Sequence, residues 1–351
     1  MADAGDCAHG FASRVIAWQA ANGRHDLPWQ KTRDPYRIWI SEIMLQQTQV
    51  QTVLPYYARF LACFPTLEAL AGAPLERVLE LWSGLGYYAR ARHLHRCAQA
   101  VAAGAGKLSA DPEENARLPG VGRSTAAAIS VFAFGRRAAI LDGNVKRVLA
   151  RCFAAESAAT ATQEERRMWA LAEALLPGSG IESYSQGMMD LGATVCTRHQ
   201  PRCAVCPLHE ICIACRDGRQ AELPRRRTKR PPAQRLTSML LLTDGRRVLL
   251  ERRPPVGLWG GLLSLPEASA DGAEVFAERH GCRLLTSRAL APIEHSFTHF
   301  RLTMQVLRCQ VEVLGQQANQ ASLEWLPVDA VAAAALPAPI KKLLLALPGV
   351  G

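Results

Sequence analysis

The sequence contains no run of 18 apolar residues, and its N-terminus has no basic segment followed by an apolar stretch. The first absence argues against a membrane-spanning helix, and the second argues against a secretory signal. Most of the 11 cysteines are scattered without the spacing of a disulfide framework, namely Cys7, Cys63, Cys97, Cys152, Cys215, Cys282 and Cys309. We therefore expect a cytoplasmic protein in a reducing compartment, with no membrane partner.

The remaining cysteines form the pattern C-x6-C-x2-C-x5-C, with Cys196, Cys203, Cys206 and Cys212. Four thiolates on one short loop suit a [4Fe–4S] cluster, because each iron takes one soft sulfur ligand. A zinc site uses the same ligands, but usually as two C-x2-C pairs with a longer spacer. Only one such pair is present, so the pattern favours the cluster and leaves zinc as the alternative.

The chain carries a formal net charge of +10 and a sequence pI of about 9.3. This balance favours a polyanionic partner, most often nucleic acid, although a basic protein without such a partner has the same composition. A length of 351 residues is enough for two domains, each with its own core.

The hydrophobic pattern changes along the chain. Helical spacing of apolar residues predicts helices over 38–62, 74–82, 87–102, 162–176 and 182–195. Strands are predicted over Leu236–Thr243, Arg247–Arg252 and Leu302–Val313, with Asp244 and Gly245 as a hairpin turn. Between the two patterns lies a basic, proline-containing segment that reads as a linker. We therefore expect a helical domain over 1–215, a linker over 216–235 and an α+β domain over 236–351.

The segment Leu118–Thr125 reads L-P-G-V-G-R-S-T between two helical stretches. Gly120 and Gly122 allow a tight turn, and they let backbone N–H groups at the start of the next helix approach a phosphate. A helix–hairpin–helix clamp on the DNA backbone, over about 112–134, fits this pattern. An ordinary interhelical turn fits it as well.

Two carboxylic residues stand in contrasting settings. Glu42 is flanked by apolar residues, which raise the pKa of a carboxyl and let it donate a proton near neutrality. Asp142 precedes Gly143 and Asn144 and is placed to cap the helix that follows, in which Lys146 and Arg147 could reach phosphates. From the residues alone, Glu42 also fits the polar face of an amphipathic helix, and Asp142 fits a purely structural cap.

Five motifs together resemble the MutY family of adenine DNA glycosylases, which belong to the helix–hairpin–helix superfamily. They are S-E-I-M-L-Q-Q-T-Q-V, G-L-G-Y-Y-A-R-A-R, L-P-G-V-G-R-S-T, L-D-G-N-V-K-R and the four-cysteine loop. The resemblance is strong over about 14–212 and weaker over 236–350. It implies a multidomain fold, with an all-α glycosylase core that carries a [4Fe–4S] loop, followed by a Nudix-like α+β domain.

The resemblance implies a monomer that binds double-stranded DNA and removes adenine paired with 8-oxoguanine or guanine. The adenine is flipped out of the stack, Glu42 protonates it, and ionised Asp142 stabilises the developing charge on the sugar with help from Asn144. The positions expected to contact DNA are Gln46, Gln47, Tyr87, Gly120, Gly122, Ser124 and Lys146, with Tyr87 as a wedge in the stack.

Ser124 separates two reaction types. Endonuclease III-like lyases, which share the clamp and the cluster, have a lysine at this position that attacks the sugar. A serine hydroxyl cannot form an imine, so the resemblance implies a monofunctional glycosylase, with at most a side reaction at Lys146. The alternatives are an endonuclease III-like pyrimidine glycosylase/lyase and a lesion-binding protein without catalysis.

The C-terminal domain resembles a Nudix domain at W-G-G-L-L-S-L-P, which begins at Trp259. The segment Ala268–Arg279 has no R-E-x-x-E-E cluster, so we do not expect a pyrophosphatase. In MutY proteins a short F-S-H loop reads 8-oxoguanine. Phe297, Thr298 and His299 match that loop, with threonine in place of serine, and are the expected lesion-recognition residues.

Overall fold

The computed structural model describes residues 4–155, 160–225, 232–267, 272–297, 299–314 and 322–347. They form two compact units, the first comprising Met1–Ala71 and Arg96–Thr228, and the second comprising Gly72–His95 and Lys229–Gly351. Segment 72–95 thus groups with the C-terminal residues rather than with its neighbours in sequence. The expected domain bounds, with a linker at 216–235, stay a prediction.

Most of the helices precede the strands along the chain, as the sequence predicts. The helices are α1 (Ala4–Asn22), α2 (Pro35–Leu45), α3 (Val50–Cys63), α4 (Leu67–Ala71), α5 (Leu75–Trp82), α6 (Ala89–Ala103), α7 (Pro112–Ala116), α8 (Arg123–Phe134), α9 (Gly143–Cys152), α10 (Ala161–Ala174), α11 (Ile181–Thr194), α12 (Ile213–Arg216), α13 (Gly272–Arg279) and α14 (Ala338–Leu345). The strands are β1 (Ala233–Thr243), β2 (Arg247–Arg252), β3 (Leu263–Ser264), β4 (Cys282–Ala289), β5 (Ile293–Ser296), β6 (Phe300–Val313) and β7 (Leu323–Pro327).

The stretch 38–62, predicted helical throughout, forms two helices instead of one. α2 begins where the Asp34 carboxylate accepts a hydrogen bond from the Tyr36 N–H (2.9 Å) and Pro35 occupies the first turn. It ends at Leu45, and Gln47 then adopts a φ of 57°, which a helix cannot continue. The apolar periodicity misses this break because it persists across the four residues between the two helices.

The predicted hairpin consists of α7 and α8. The Asp111 carboxylate caps α7 by accepting a hydrogen bond from the Glu113 N–H (2.8 Å). Gly120 has a φ of 76°, a left-handed conformation that suits glycine, and α8 begins directly after Gly122. Gly135, with a φ of 66°, ends α8 in a left-handed cap.

The core of the first unit lies where α11 packs against α1 and α9. It includes the buried side chains of Phe11, Val15, Leu149, Met188 and Leu191. Gly187 on α11 makes this packing possible, because a Cβ at this position would lie 2.8 Å from the Val15 Cγ1 atom and 2.9 Å from the Gln19 Cβ atom. The close approach fixes α11 against α1.

The second unit contains a mixed sheet in the order β3-β2-β1-β6-β4, while β5 pairs with β6 and β7 pairs with β2. β1 and β6 are parallel, and the other pairs are antiparallel. The three predicted strands and the turn at Asp244 and Gly245 are confirmed. Leu240, Leu249, Ala277, Cys309 and Val311 are among the residues that form the core beside the sheet.

Segment 72–95 is hydrogen-bonded to the rest of the second unit. The Tyr88 hydroxyl donates to the Leu336 carbonyl (3.1 Å), and the Arg92 guanidinium donates to the Gly260 carbonyl (2.7 Å). Tyr87 directly precedes the first of these anchors, in the loop before α6.

No helix within the described ranges has both the length and the apolar character that a bilayer-spanning segment needs.

Gly187→Ala should lower the free energy of unfolding by about 1–3 kcal/mol, since the added methyl group overlaps Val15 and Gln19 in a packed core. Urea denaturation followed by circular dichroism measures the change. Gly10→Ala is the matched control, because it lies in α1 and has nothing within 4 Å of the added Cβ. An equal or smaller loss in Gly187→Ala would contradict the packing described here.

Candidate active site and cysteine loop

Asp142 is the N-terminal cap of α9, and its position is fixed by three donors. Its Oδ1 atom accepts hydrogen bonds from the backbone N–H groups of Asn144 (2.9 Å) and Val145 (2.7 Å), and its Oδ2 atom accepts one from the Asn144 side-chain amide (3.0 Å). An ionised carboxyl only accepts hydrogen bonds, so this set of donors suits the charged form. The residue is half-buried.

Glu42 lies in the last turn of α2 and faces Asp142 within the first unit. Burial and, to a smaller extent, the negative charge of Asp142 together raise the pKa of Glu42 to about 7. The chain therefore brings together two carboxyls that are far apart in sequence, one of them ready to hold a proton near neutral pH. This is the arrangement that the sequence predicts for an acid and its anionic partner.

Asn144 connects Asp142 to Arg147. Its side-chain oxygen accepts a hydrogen bond from the Arg147 Nη2 atom (2.8 Å), which also donates to the Gly192 carbonyl (2.6 Å). The Arg147 Nε atom donates to the Cys196 carbonyl (2.7 Å). The guanidinium of Arg147 is thus committed to protein acceptors, in contrast to the expected contact with phosphates.

The close packing of α9 on α11 at Gly192 supports this network. A Cβ at Gly192 would lie 2.5 Å from the Asn144 Cβ atom and 2.9 Å from its backbone. Only a glycine lets the first turn of α9 approach α11 so closely.

The predicted DNA-contacting residues of the first unit surround these carboxyls in sequence and structure. The Ser124 hydroxyl accepts a hydrogen bond from the Leu141 N–H (3.2 Å), immediately before Asp142. The Gln46 side chain donates to the Thr125 hydroxyl (3.3 Å), which ties the end of α2 to α8. Gln47 is exposed and has a left-handed backbone. Such strain in a residue other than glycine is common at functional sites.

The hairpin glycines are open to solvent. Gly120 and Gly122 are both exposed, and nothing lies within 4 Å of a Cβ built at Gly122. The backbone at the start of α8 is therefore accessible to a large ligand.

Lys146 lies on the side of α9 that faces α10. Its Nζ atom is 2.5 Å from the Glu165 Oε2 atom. No sequence pattern predicts this ion pair, because the two residues are 19 positions apart.

The remaining predicted residues belong to the second unit. Tyr87 is 49% exposed and has a φ of 49°, so a strained backbone presents its ring to solvent. Phe297 stacks on Phe300 (4.5 Å between ring centroids) and meets the edge of His295 (4.6 Å). His299 is exposed, and Thr298 lies outside the described residues. The structure does not test the reading of a lesion by this loop.

The cysteine loop begins at the end of α11. Cys196, Cys203, Cys206 and Cys212 are all half-buried. Burial raises the pKa of the Cys206 thiol to about 12, and the other three thiols are close enough to contribute. Cys203 hydrogen-bonds with Cys215, and Cys212 hydrogen-bonds with Cys152. Cys215, which the sequence pattern leaves aside, is therefore a direct neighbour of the loop's thiols.

Over the described part of the chain, no three Cys, His, Asp or Glu side chains are arranged as a metal site. The donor set nevertheless has the chemistry of an iron–sulfur ligand set, with four soft thiols on one loop. Hydrogen-bond donors also point at its sulfurs, since Arg151 donates to the Cys196 Sγ atom (3.3 Å) and Gln220 donates to the Cys203 Sγ atom (3.9 Å).

Arg151 is the residue of this region that the sequence analysis missed. It is 2% exposed, and it also donates to the carbonyls of Thr197 (2.7 Å), Arg198 (3.1 Å) and Leu223 (2.9 Å). Its place in the last turn of α9, as an arginine between apolar residues, was the available signal. Arg147 and Arg151 together fasten the cysteine loop to the helix that Asp142 caps.

Comparison with known proteins agrees with this geometry. Residues 40–174 match the family model of the HhH-GPD superfamily base excision DNA repair protein, and residues 237–346 match the NUDIX domain. The adenine DNA glycosylase of Buchnera aphidicola subsp. Acyrthosiphon pisum is 32% identical over 338 residues, which cover 95% of this chain and 96% of that protein.

The chain belongs to the adenine DNA glycosylase family. The mouse adenine DNA glycosylase is likewise 32% identical, over 95% of this chain and 76% of its own. A solved thermostable thymine-DNA glycosylase shares the helical fold, with a TM-score of 0.55 and 30% identity over 61% of this chain and 100% of that one.

Family membership confirms the expected fold, a helix–hairpin–helix glycosylase core followed by a Nudix-like domain with a mixed sheet. The chain is a DNA-binding enzyme of base excision repair that hydrolyses N-glycosyl bonds of adenine, as the sequence motifs predict. The endonuclease III-like alternative loses its support, because the match to adenine DNA glycosylases extends over both parts of the chain.

Proposed function

We propose that this adenine DNA glycosylase acts, as a monomer, on adenine paired with 8-oxoguanine or guanine in double-stranded DNA. It releases the base without cutting the strand. The observation that carries the proposal is the pairing of Glu42, whose pKa is raised to about 7, with the charged cap residue Asp142.

Glu42 acts as the general acid. A carboxyl with a pKa near 7 is about half protonated at neutral pH, so it donates its proton readily to adenine N7 in a flipped nucleotide. Protonation makes adenine a better leaving group. Because neutral Glu42 adds no charge beside the phosphates, it does not oppose the binding of DNA.

Asp142 stabilises the positive charge that develops on the sugar as the bond to adenine breaks. The three N–H donors around it hold the carboxylate in one position, so the enzyme spends no reorganisation energy during the reaction. Asn144 orients Asp142 through one of these hydrogen bonds and assists at the sugar.

The DNA backbone is held by the hairpin. The exposed backbone at Gly120 and Gly122, next to the N-terminus of α8, donates N–H groups to a phosphate. Gln46 and Gln47 fill the gap left by the flipped base, and Tyr87 wedges into the base stack. Lys146 adds a cation near the same backbone.

Ser124 limits the reaction to base release. Its hydroxyl already accepts a hydrogen bond from the Leu141 N–H, and it carries no amine that could attack the sugar. The product is therefore an intact strand with an abasic site.

The cysteine loop would hold a [4Fe–4S] cluster through Cys196, Cys203, Cys206 and Cys212. When bound, the cluster supplies four iron–thiolate bonds that make the loop rigid. Arg151 supports the set by donating to the Cys196 sulfur and to neighbouring carbonyls.

Phe297, Thr298 and His299 recognise 8-oxoguanine in the strand opposite adenine. Phe297 is held by its stacking on Phe300, which gives the short segment a rigid start. The hydroxyl of Thr298 and the exposed ring of His299 supply hydrogen-bonding groups for a modified purine.

Adenine release from an A:8-oxoguanine duplex should fall as pH rises through about 7, since Glu42 loses its proton in that range. Glu42→Gln should bind the duplex but slow release by about 100-fold or more. Single-turnover assays with alkali cleavage measure both. Glu76→Gln, an exposed carboxyl elsewhere, is the control. A nick that forms without alkali, or full turnover by Glu42→Gln, would overturn the mechanism.

Purified protein should show a brown iron–sulfur absorption band and contain about four irons per chain. Cys206→Ser should lose both, whereas Cys63→Ser, which changes an exposed cysteine outside the loop, should keep them. Metal analysis that finds zinc and no iron would support the alternative site.

Replacing Thr298 and His299 together by alanine should reduce the preference for A:8-oxoguanine over A:G, because the proposed contacts to the lesion are removed. The ratio of the two single-turnover rates measures the preference. Val256→Ala, an exposed change in the same unit, should leave the ratio as it is. An unchanged ratio in the double variant would place recognition elsewhere.

A further inference from the structure

Lys146 is an amine four residues after Asp142, on the helix that Asp142 caps. A neutral amine beside an abasic sugar is a hazard for a monofunctional glycosylase. Its lone pair can attack C1′ of the ring-opened sugar and form an imine with loss of water. Removal of a C2′ proton then breaks the C3′–O bond and cuts the strand. An ammonium ion has no lone pair and cannot begin this sequence.

Glu165 on α10 holds this amine. Its Oε2 atom is 2.5 Å from the Lys146 Nζ atom, and the pKa of Glu165 is lowered chiefly by that hydrogen bond. Its other oxygen, Oε1, accepts a hydrogen bond from the indole N–H of Trp169 (3.1 Å). Both carboxylate oxygens therefore have defined partners.

Trp169 is itself fixed. The residue is only 9% exposed, and the Arg123 guanidinium lies 4.0 Å from the centroid of its ring. Arg123 also pairs with Glu173, one turn further along α10. Trp169 is therefore held in place, and its hydrogen bond keeps the Glu165 carboxylate in one orientation toward Lys146.

We propose that Glu165, oriented by Trp169, is a positioning residue that holds the Lys146 amine in an ion pair directed toward α10, and so suppresses strand cleavage at the abasic product. This rests on the proposed function, in which Asp142 marks the place of the sugar. The suppression complements Ser124, because Ser124 removes one amine from the site and Glu165 restrains another.

The expected size of the effect follows from exposure. The side chains of Lys146 and Glu165 are 37% and 50% exposed, and ion pairs of this kind are weak. We therefore expect Glu165→Gln to increase imine formation about two- to five-fold rather than by orders of magnitude.

Borohydride trapping tests the proposal directly. The enzyme is incubated at saturating concentration with a duplex that already contains an abasic site, and borohydride supplies hydride to the imine carbon, which yields a stable covalent complex. Because the abasic site is preformed, the result does not depend on adenine release. A failure of the proposed function would appear separately, as no adenine release by the unmodified enzyme.

Three further variants make the readout specific. Glu173→Gln removes the same charge from the same helix but leaves the Lys146–Glu165 pair intact, so it should trap far less than Glu165→Gln. Trp169→Phe removes the N–H donor but keeps a ring, and it should give a smaller rise than Glu165→Gln. Lys146→Ala combined with Glu165→Gln should abolish the rise. Adenine release by Glu165→Gln should stay within about two-fold of the unmodified enzyme.

The proposal is overturned if Glu165→Gln traps no more than the unmodified protein. It is also overturned if Glu173→Gln gives the same rise, since a general gain in DNA affinity would then explain both. A rise that persists without Lys146 would assign the imine to a different amine and overturn it as well.

Discussion

One carboxylate, that of Asp142, both starts α9 and supplies a negative charge that helps to raise the pKa of Glu42. A helix cap is usually a local matter, worth about 0.5–2 kcal/mol. Here the hydrogen bonds that begin the helix also fix a negative charge opposite a second carboxyl. Burial disfavours the charged form of Glu42, and the negative charge of Asp142 adds to this effect, so Glu42 retains its proton up to about pH 7. The division of roles between acid and anion thus follows from where one helix begins.

The helix α9 also connects the two carboxyls to the cysteine loop. Arg147 connects Asn144 to the Gly192 and Cys196 carbonyls, and buried Arg151 satisfies carbonyls of the loop itself. A buried guanidinium is stable only when its donors are paired, and those carbonyls need donors for the same reason. Folding of the loop and placement of Asp142 are therefore coupled.

The sequence predicts those parts of the site that depend on neighbouring residues. The apolar flanks of Glu42 predict its raised pKa, and the L-D-G-N order predicts the cap at Asp142, because both depend on neighbours within a few residues. The contacts of Arg151 with the loop and of Glu165 with Lys146 join residues 19 to 47 positions apart, and no periodicity encodes them. The same reason explains why β4, β5 and β7 were missed, since they are largely exposed strands that the sheet defines by pairing.

A DNA glycosylase faces an electrostatic conflict, because the chain must attract phosphates while it places carboxyls next to a phosphodiester. The net charge of +10 supplies the long-range attraction, which acts over the Debye length and falls with added salt. At short range the conflict is resolved residue by residue. Glu42 is neutral when it acts as the acid, and three N–H donors stabilise the negative charge of Asp142 by hydrogen bonds. Glu165 is paired with Lys146. The net positive charge of the chain therefore remains available to attract DNA.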